Sequence, residues 1–225
     1  MTTQKTESMF FMRAYDAVMK NIRQIGLIVG LIVGFIGLAF VYMLWTNEKN
    51  KAVQRDLGLL AMEYDQALQD QNADWQKLLE KFELGYAKHA GAPLLPYYKD
   101  YAVNILLRQN KTDEALVLLD TIINDTQASP LLSLYKIKKA LLLLDMTEAE
   151  KQKEGEDILM VLSKDTMDQF HDTALFYLGR YYWAKNEIIS AREFWQQLVD
   201  EQKDERVAPS PWAQQVKDYL KLIIV

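Results

Sequence analysis

Cysteine is absent from the 225 residues, and the only two histidines, His89 and His171, lie 82 positions apart. The lack of cysteine excludes disulfides and thiolate chemistry. Two histidines so far apart in sequence are more often packing or surface residues than a pair of metal ligands. No glycine-rich phosphate loop, His-Glu-x-x-His pair or Gly-x-Ser-x-Gly segment occurs either. The sequence therefore predicts no enzyme, no metal site and no cofactor.

Proline is also scarce, with five residues in the chain. Strand signals are missing, because apolar residues do not alternate with period two and Asn-Gly turns do not occur. We therefore predict an all-α fold. Ser129-Pro130 and Ser210-Pro211 each place an N-cap residue before a proline at the first helical position, so helices are predicted to begin at residues 130 and 211.

Acidic residues outnumber basic ones, which gives a formal net charge of −5. Residues 1–24 carry a net charge of +2, and residues 46–225 carry −7. Nucleic-acid binding depends on a basic surface that neutralises phosphates, so this balance argues against that function. It is typical of an ordinary soluble domain.

One uncharged run, IGLIVGLIVGFIGLAFVYMLW, covers residues 25–45. As a helix it would extend about 31 Å, which matches the hydrocarbon thickness of a bilayer. It is longer than the apolar region of a cleaved secretory signal, and its bulky end at Trp45 suits a membrane interface. We predict an uncleaved transmembrane anchor, with residues 1–24 inside and residues 46–225 outside. The charge bias alone is too weak to orient it, since basic residues lie on both sides.

Gly26, Gly30 and Gly34 recur every four residues and share one face of this predicted helix. Their missing side chains let another helix backbone approach closely. The neighbouring helix would belong either to a second copy of the chain or to another protein. The alternative to helix packing is that glycine is simply common in membrane helices. Residues 1–24 form either an amphipathic helix on the inner membrane surface or an extension of the anchor.

The chain beyond the anchor contains a repeated pair of helices. In the clearest unit, residues 174–200, the small residues Gly179 and Ala191 let two helices cross closely. This spacing is that of a tetratricopeptide (TPR) helix pair. Two more units carry Ala115 and Gly155 at the position of Ala191 in the second helix. Ala115 and Gly155 are 40 residues apart, and Gly155 and Ala191 are 36 apart, near the nominal TPR period. The large residues of the clearest unit are Leu175, Leu178, Tyr182, Trp195 and Leu198.

The unit around Gly155 departs from the pattern in two ways. Lys138 occupies the usual small position of the first helix, and the turn before the second helix is about five residues too long. A degenerate fourth pair covers residues 51–68 and 75–89, and a last helix from Trp212 caps the stack. We thus predict a TPR-like α-solenoid of three to four helix pairs with a C-terminal capping helix. The alternative is a helical bundle without true repeats.

In a TPR stack the first helix of each pair lines a concave surface that can bind a partner. We predict that seven side chains point into this groove, and aromatic and arginine side chains of this kind are common at binding hot spots. The alternative for each aromatic residue is packing between repeats. The predicted groove residues are Tyr97, Asn104, Tyr135, Lys139, Phe176, Arg180 and Trp183.

Four segments follow one another along the chain: IGLIVGLIVGF, NKTDEALVLLDTII, YLGRYYWAKNEIISAREFW and YLKLIIV. Their order and spacing resemble the YfgM family, the ancillary subunits of the bacterial SecYEG translocon. The resemblance covers most of the chain. It is weaker at the long turn of residues 146–153 and at the proline-bearing segment APLLPYY.

The resemblance implies a single-pass protein of the bacterial inner membrane, with a cytoplasmic N-terminus and a periplasmic TPR domain. It also implies association with SecYEG and with the membrane-anchored isomerase-chaperone PpiD, assistance to newly exported chains, and no catalytic residues. The alternative function is a general TPR scaffold or adaptor for cell-envelope assembly or division, unrelated to secretion.

Overall fold

The computed structural model describes residues 22–126, 130–203 and 209–223, with the backbone alone for residues 22–42, 44 and 45. This part of the chain contains nine helices and no strand, so the all-α prediction is confirmed there. The helices are α1 Ile22–Ala67, α2 Trp75–Lys88, α3 Leu95–Arg108, α4 Thr112–Asp125, α5 Leu132–Leu144, α6 Ala149–Leu162, α7 His171–Ala184, α8 Ile188–Glu201 and α9 Ala213–Leu222.

Two units make up the chain, residues 1–56 and residues 57–225, and α1 contributes to both. The predicted boundaries after residues 24 and 45 fall inside α1, so no helix end marks them and they stay predictions. Among the residues that the structure describes, none of the helices has the length and hydropathy of a membrane span. Residues 1–21 and the surroundings of Gly26, Gly30 and Gly34 lie outside this description.

Tight hairpins join α3 to α4 and α7 to α8 in the same way. Each turn holds an asparagine with a left-handed backbone, Asn110 with φ 59° and Asn186 with φ 62°. Asparagine tolerates this conformation better than most residues with a side chain. In both turns the next amide donates to the carbonyl five residues earlier, at 2.9 Å. The two hairpins are therefore structural repeats of one another.

The helix crossing predicted at Gly179 is confirmed. A Cβ added at Gly179 would lie 2.1 Å from Nε1 of Trp195, so the indole occupies the space that a side chain would need. Trp195 is fully buried, and its Nε1 donates to the carbonyl oxygen of Phe176 at 3.1 Å. Ala191, also fully buried, completes the close approach of α8 to α7.

The register predicted for the preceding helix pair, α5 and α6, is wrong by two residues. A Cβ added at Gly155 would lie 2.7 Å from the carbonyl oxygen of Ala140, so Ala140 takes the small position that was assigned to Lys138. Fifteen residues separate Ala140 from Gly155, against twelve between Gly179 and Ala191. The segment between the two small positions is therefore three residues longer in this pair. The register error from Lys138 to Ala140 is two residues, which turns a side chain by about 200° around the helix.

Two predicted helix starts are also early by two residues. Pro130 and Pro211 lie in turns, and α5 and α9 begin at Leu132 and Ala213. The hydroxyl of Ser210 accepts from the amide of Trp212 at 3.3 Å, so it stabilises the turn instead of a helix that starts at the proline. Ser129, the other predicted cap, lies outside the described residues.

The core lies between successive helix pairs, as expected for a solenoid in which each pair packs on the next. Helix α9 packs on α8 and α7, which confirms the predicted capping helix. One buried cluster joins α5, α6 and α7 through Ile137, Ala140, Leu159, Leu162, Ala174 and Leu178. A second cluster joins α7, α8 and α9 through Leu175, Phe176, Ala191, Trp195, Leu198 and Val216.

Candidate functional site

Neighbouring first helices α3 and α5 are joined by a polar network. The Nζ of Lys138 on α5 donates to Oδ1 of Asn104 at 2.8 Å and forms a close ion pair with Asp100, both on α3. Tyr97, one turn before Asp100, keeps 38% of its surface exposed. We call Tyr97, Asp100, Asn104 and Lys138, together with Arg180 of α7, the first-helix surface.

Arg180 is the exposed cation of this surface on α7. Its guanidinium carbon lies 5.9 Å from the ring centroids of both Phe176 and Tyr177. Contacts of this kind favour a cation through the ring quadrupole and limit its rotamers. No carboxylate in the described residues forms an ion pair with Arg180, so its hydrogen-bond donors remain available to a partner.

Three aromatic residues predicted to line the groove are packing residues instead. Tyr135 and Phe176 are 2% and 1% exposed, and Phe176 stacks on Trp212 of α9 with ring centroids 4.2 Å apart. Trp183 is half-buried against Trp195, 5.0 Å away, and against an α9 tyrosine. Phe176 and Trp183 are covered because α9 takes the place of a next first helix beside α7. Tyr135 lies on α5 and is nearly fully buried there.

Lys139, also predicted for the groove, lies about 100° around α5 from Lys138 and faces the second helices. Its Nζ pairs with Asp120 of α4 at 2.8 Å and with Glu154 of α6 at 2.7 Å. Burial lowers the pKa of Lys139, but the hydrogen bonds that its Nζ donates to these two carboxylates outweigh burial and raise the pKa above its usual value. The lysine beside α3 is therefore Lys138, one residue earlier.

Alkaline pH should destabilise the domain. Burial, with smaller contributions from Asp100 and Tyr97, raises the pKa of Tyr135, and the pKa of Lys139 is raised as well. A group with a raised folded-state pKa holds its proton more tightly when folded. Its stabilisation is complete below the unfolded pKa, about 10 for tyrosine and lysine, and is lost as pH rises above that value.

We therefore expect the free energy of unfolding to be flat between about pH 7 and 9 and to fall above about pH 10. Urea unfolding at a series of pH values measures this. The free energy of unfolding of the Tyr135→Phe variant should fall less steeply with pH, since this variant lacks one group that loses its proton. Identical slopes for the two proteins would contradict the assignment to Tyr135.

One group of side chains could in principle hold a metal ion. His171 Nε2 lies 2.7 Å from Oε2 of Glu201, and Asp172 brings a third ligand atom to within 4.8 Å of the others. A metal-bound histidine usually donates its other ring N–H to an acceptor. The buried Nδ1 of His171 has no such partner among the described residues. The geometry instead favours a hydrogen bond that joins the start of α7 to the end of α8.

Sequence reasoning missed Asp100 and the role of Lys138. Asp100 lies three residues after Tyr97 and four before Asn104, so helical spacing alone places it on the same stripe. Lys138 was missed because it was assigned to the small position of the helix crossing, which Ala140 occupies instead. The spacing of Ala140 from Gly155 was the available signal.

The chain matches no known family model. No curated protein matches it either. Among solved structures, it is similar to the nearly identical TPR-like repeats of a kinesin light chain candidate from Podosopora anserina, with 16% identity and a TM-score of 0.53, over 77% of this chain and 86% of that one. A single-residue variant of those repeats matches with 17% identity and a TM-score of 0.53, over 77% and 85% of the two chains. At such identities the likeness shows the fold alone, and that fold is a TPR-like repeat.

Proposed function

We propose that this chain is a non-enzymatic, membrane-anchored TPR-like protein that binds other proteins through its first-helix surface. The observation that carries this is the exposure of Tyr97 on α3 and of Arg180 on α7, two of the first helices, together with the Lys138–Asn104 network that joins α3 to α5. TPR-like solenoids typically act as protein-binding scaffolds, because stacked first helices present one extended surface. Aromatic and arginine side chains are the residues that most often dominate binding energy.

The more specific proposal is an accessory chaperone or ancillary subunit of the Sec translocon in the bacterial inner membrane. Residues 25–45 would anchor it, with the N-terminus in the cytoplasm and residues 46–225 in the periplasm. Support comes from the uncharged 21-residue run and from the resemblance to the YfgM family. The proposed partners are SecYEG and a PpiD-like membrane-anchored isomerase-chaperone.

Co-purification tests this proposal. The full chain, tagged at its C-terminus, would be crosslinked in intact membranes and solubilised mildly, and its partners identified by mass spectrometry. Recovery of translocon subunits or of a membrane-anchored isomerase supports the specific proposal. Recovery of other envelope proteins with the translocon absent would overturn it in favour of a general envelope scaffold. Recovery of no protein partner would overturn protein binding itself.

The glycine face makes a separate prediction for the anchor. Replacing Gly30 and Gly34 together with Leu should abolish crosslinks to other membrane helices, because two isobutyl groups separate the helix backbones. The matched control places the same side chains about 200° away, at Ile28 and Ile32. Native gels of the crosslinked membranes measure the effect. Intact complexes in the glycine variant, or equal losses in both variants, would contradict docking through this face.

A further inference from the structure

Charge is segregated between the first and second helices of the three pairs α3–α4, α5–α6 and α7–α8. The first helices α3, α5 and α7 contain six basic and two acidic residues, a net charge of +4. The second helices α4, α6 and α8 contain three basic and eleven acidic residues, a net charge of −8. In these three pairs the first helices thus form a basic layer, although the domain as a whole is acidic.

Part of this charge is neutralised inside the protein. Lys99 pairs with Asp125 at 2.7 Å, Lys139 bridges two acids of the second helices, and Lys138 pairs with Asp100. After these pairs, three cations of the first helices have no carboxylate partner in the described part of the chain. They are Arg108, Lys136 and Arg180.

These three cations differ in their surroundings. Lys136 lies in an outer groove whose rim carries Asp120 and Glu150, so its charge is balanced nearby. Arg108 is exposed and lies over the ring of Trp75, 5.5 Å from its centroid. Arg180 is exposed, is held over two aromatic rings, and has no acid paired with it. Arg180 is therefore the strongest candidate to bind an anion, since a guanidinium can donate two parallel hydrogen bonds to one carboxylate.

Apolar contact area lies on the other two of these first helices. Tyr97 on α3 is 38% exposed, and Leu134 on α5, one turn before Lys138, is 40% exposed. A free inorganic anion would make no use of these side chains. A peptide that carries both carboxylates and large apolar side chains would use them together with Arg180.

We propose that the first-helix surface, extended by Leu134, binds an extended acidic segment of a partner protein, with a carboxylate on Arg180 and apolar side chains on Tyr97 and Leu134. This rests on the proposed function, because it specifies the chemistry of the partner at the same surface. The acidic second-helix layer repels such a segment, so the charge pattern also directs it to one side.

The test uses the full chain in mild detergent and a fluorescein-labelled peptide composed of Glu, Asp and Phe, measured by fluorescence anisotropy. A second peptide carries Lys in place of every acid. We expect the acidic peptide to bind more tightly than the basic one and to lose affinity as NaCl is raised. Arg180→Glu should weaken the affinity for the acidic peptide about tenfold or more.

The matched control is Arg192→Glu, the same change on the exposed face of α8 in the second-helix layer. It should leave binding within about twofold of wild type. Thermal unfolding of both variants checks that the fold is intact. Equal binding of the two peptides, or equal losses in the two arginine variants, would overturn the inference. If Arg180→Glu still co-purifies every partner that the wild type recovers, the acidic-segment inference fails while the proposed function stands.

Discussion

A Gly179→Ala variant is expected to lose about 3 kcal/mol of unfolding free energy. The added Cβ would lie 2.1 Å from Nε1 of Trp195, well inside van der Waals contact. Trp195 is fully buried, and its Nε1–H donates to the carbonyl of Phe176, so the indole moves only by breaking that bond or separating α7 from α8. Urea unfolding followed by far-UV circular dichroism measures the loss.

Two companion variants isolate the cause. Gly58→Ala adds the same methyl group to α1, where nothing lies within 4 Å of the new atom, and should stabilise by up to about 1 kcal/mol. Combining Gly179→Ala with Trp195→Leu should cost less than the two single changes together, because the smaller side chain frees space for the methyl group. A Gly179→Ala protein as stable as wild type would contradict the close crossing.

Trp212→Ala should release the capping helix α9, at a cost of about 3 kcal/mol. The indole of Trp212 stacks on Phe176, with ring centroids 4.2 Å apart and an interplanar angle of 13°. Its Nε1 donates to Oγ1 of Thr173 at 3.0 Å. Helix α9 is short, and its other contacts in the described part come mainly from buried Val216 and from half-buried Tyr219, which packs on Trp183 and Trp195. Hydrogen exchange should show the amides of α9 losing protection before those of α7 and α8.

Trp212→Phe serves as the control for the capping helix. It keeps an aromatic ring on Phe176 but loses the hydrogen bond to Thr173, so about 1 kcal/mol should be lost and α9 should stay protected. Unchanged protection of α9 in Trp212→Ala would show that the helix is held by other contacts. Equal protection losses in both variants would assign the docking to the hydrogen bond instead of the stacked rings.

Much of the fold follows from local spacing. The scarcity of proline, the absence of period-two alternation and the small residues Gly179 and Ala191 predict paired helices with a close crossing, and the structure has them. The capping helix is predicted because it continues the pattern beyond α8. These predictions succeed because helical periodicity and steric fit at a crossing depend on residues close together in sequence.

The binding surface could not be predicted to the same depth. Whether Phe176 and Trp183 face a partner or the protein depends on where α9 docks, and residues 204–208 of its connection to α8 are outside the described structure. The choice between Lys138 and Lys139 depends on one step of about 100° around α5. That step is set by the Ala140–Gly155 contact in space, which a sequence pattern with an irregular turn does not specify.

By itself, the sequence determined the helical class, the repeat, the capping helix and the uncharged run that supports the proposed anchor. All of these depend on composition and on spacing within one or two helices. The tertiary structure decided which side chains remain exposed, leaving Tyr97 and Arg180 open while α9 covers Phe176. Exposure depends on contacts between helices far apart in sequence, and only the packed solenoid brings those helices together.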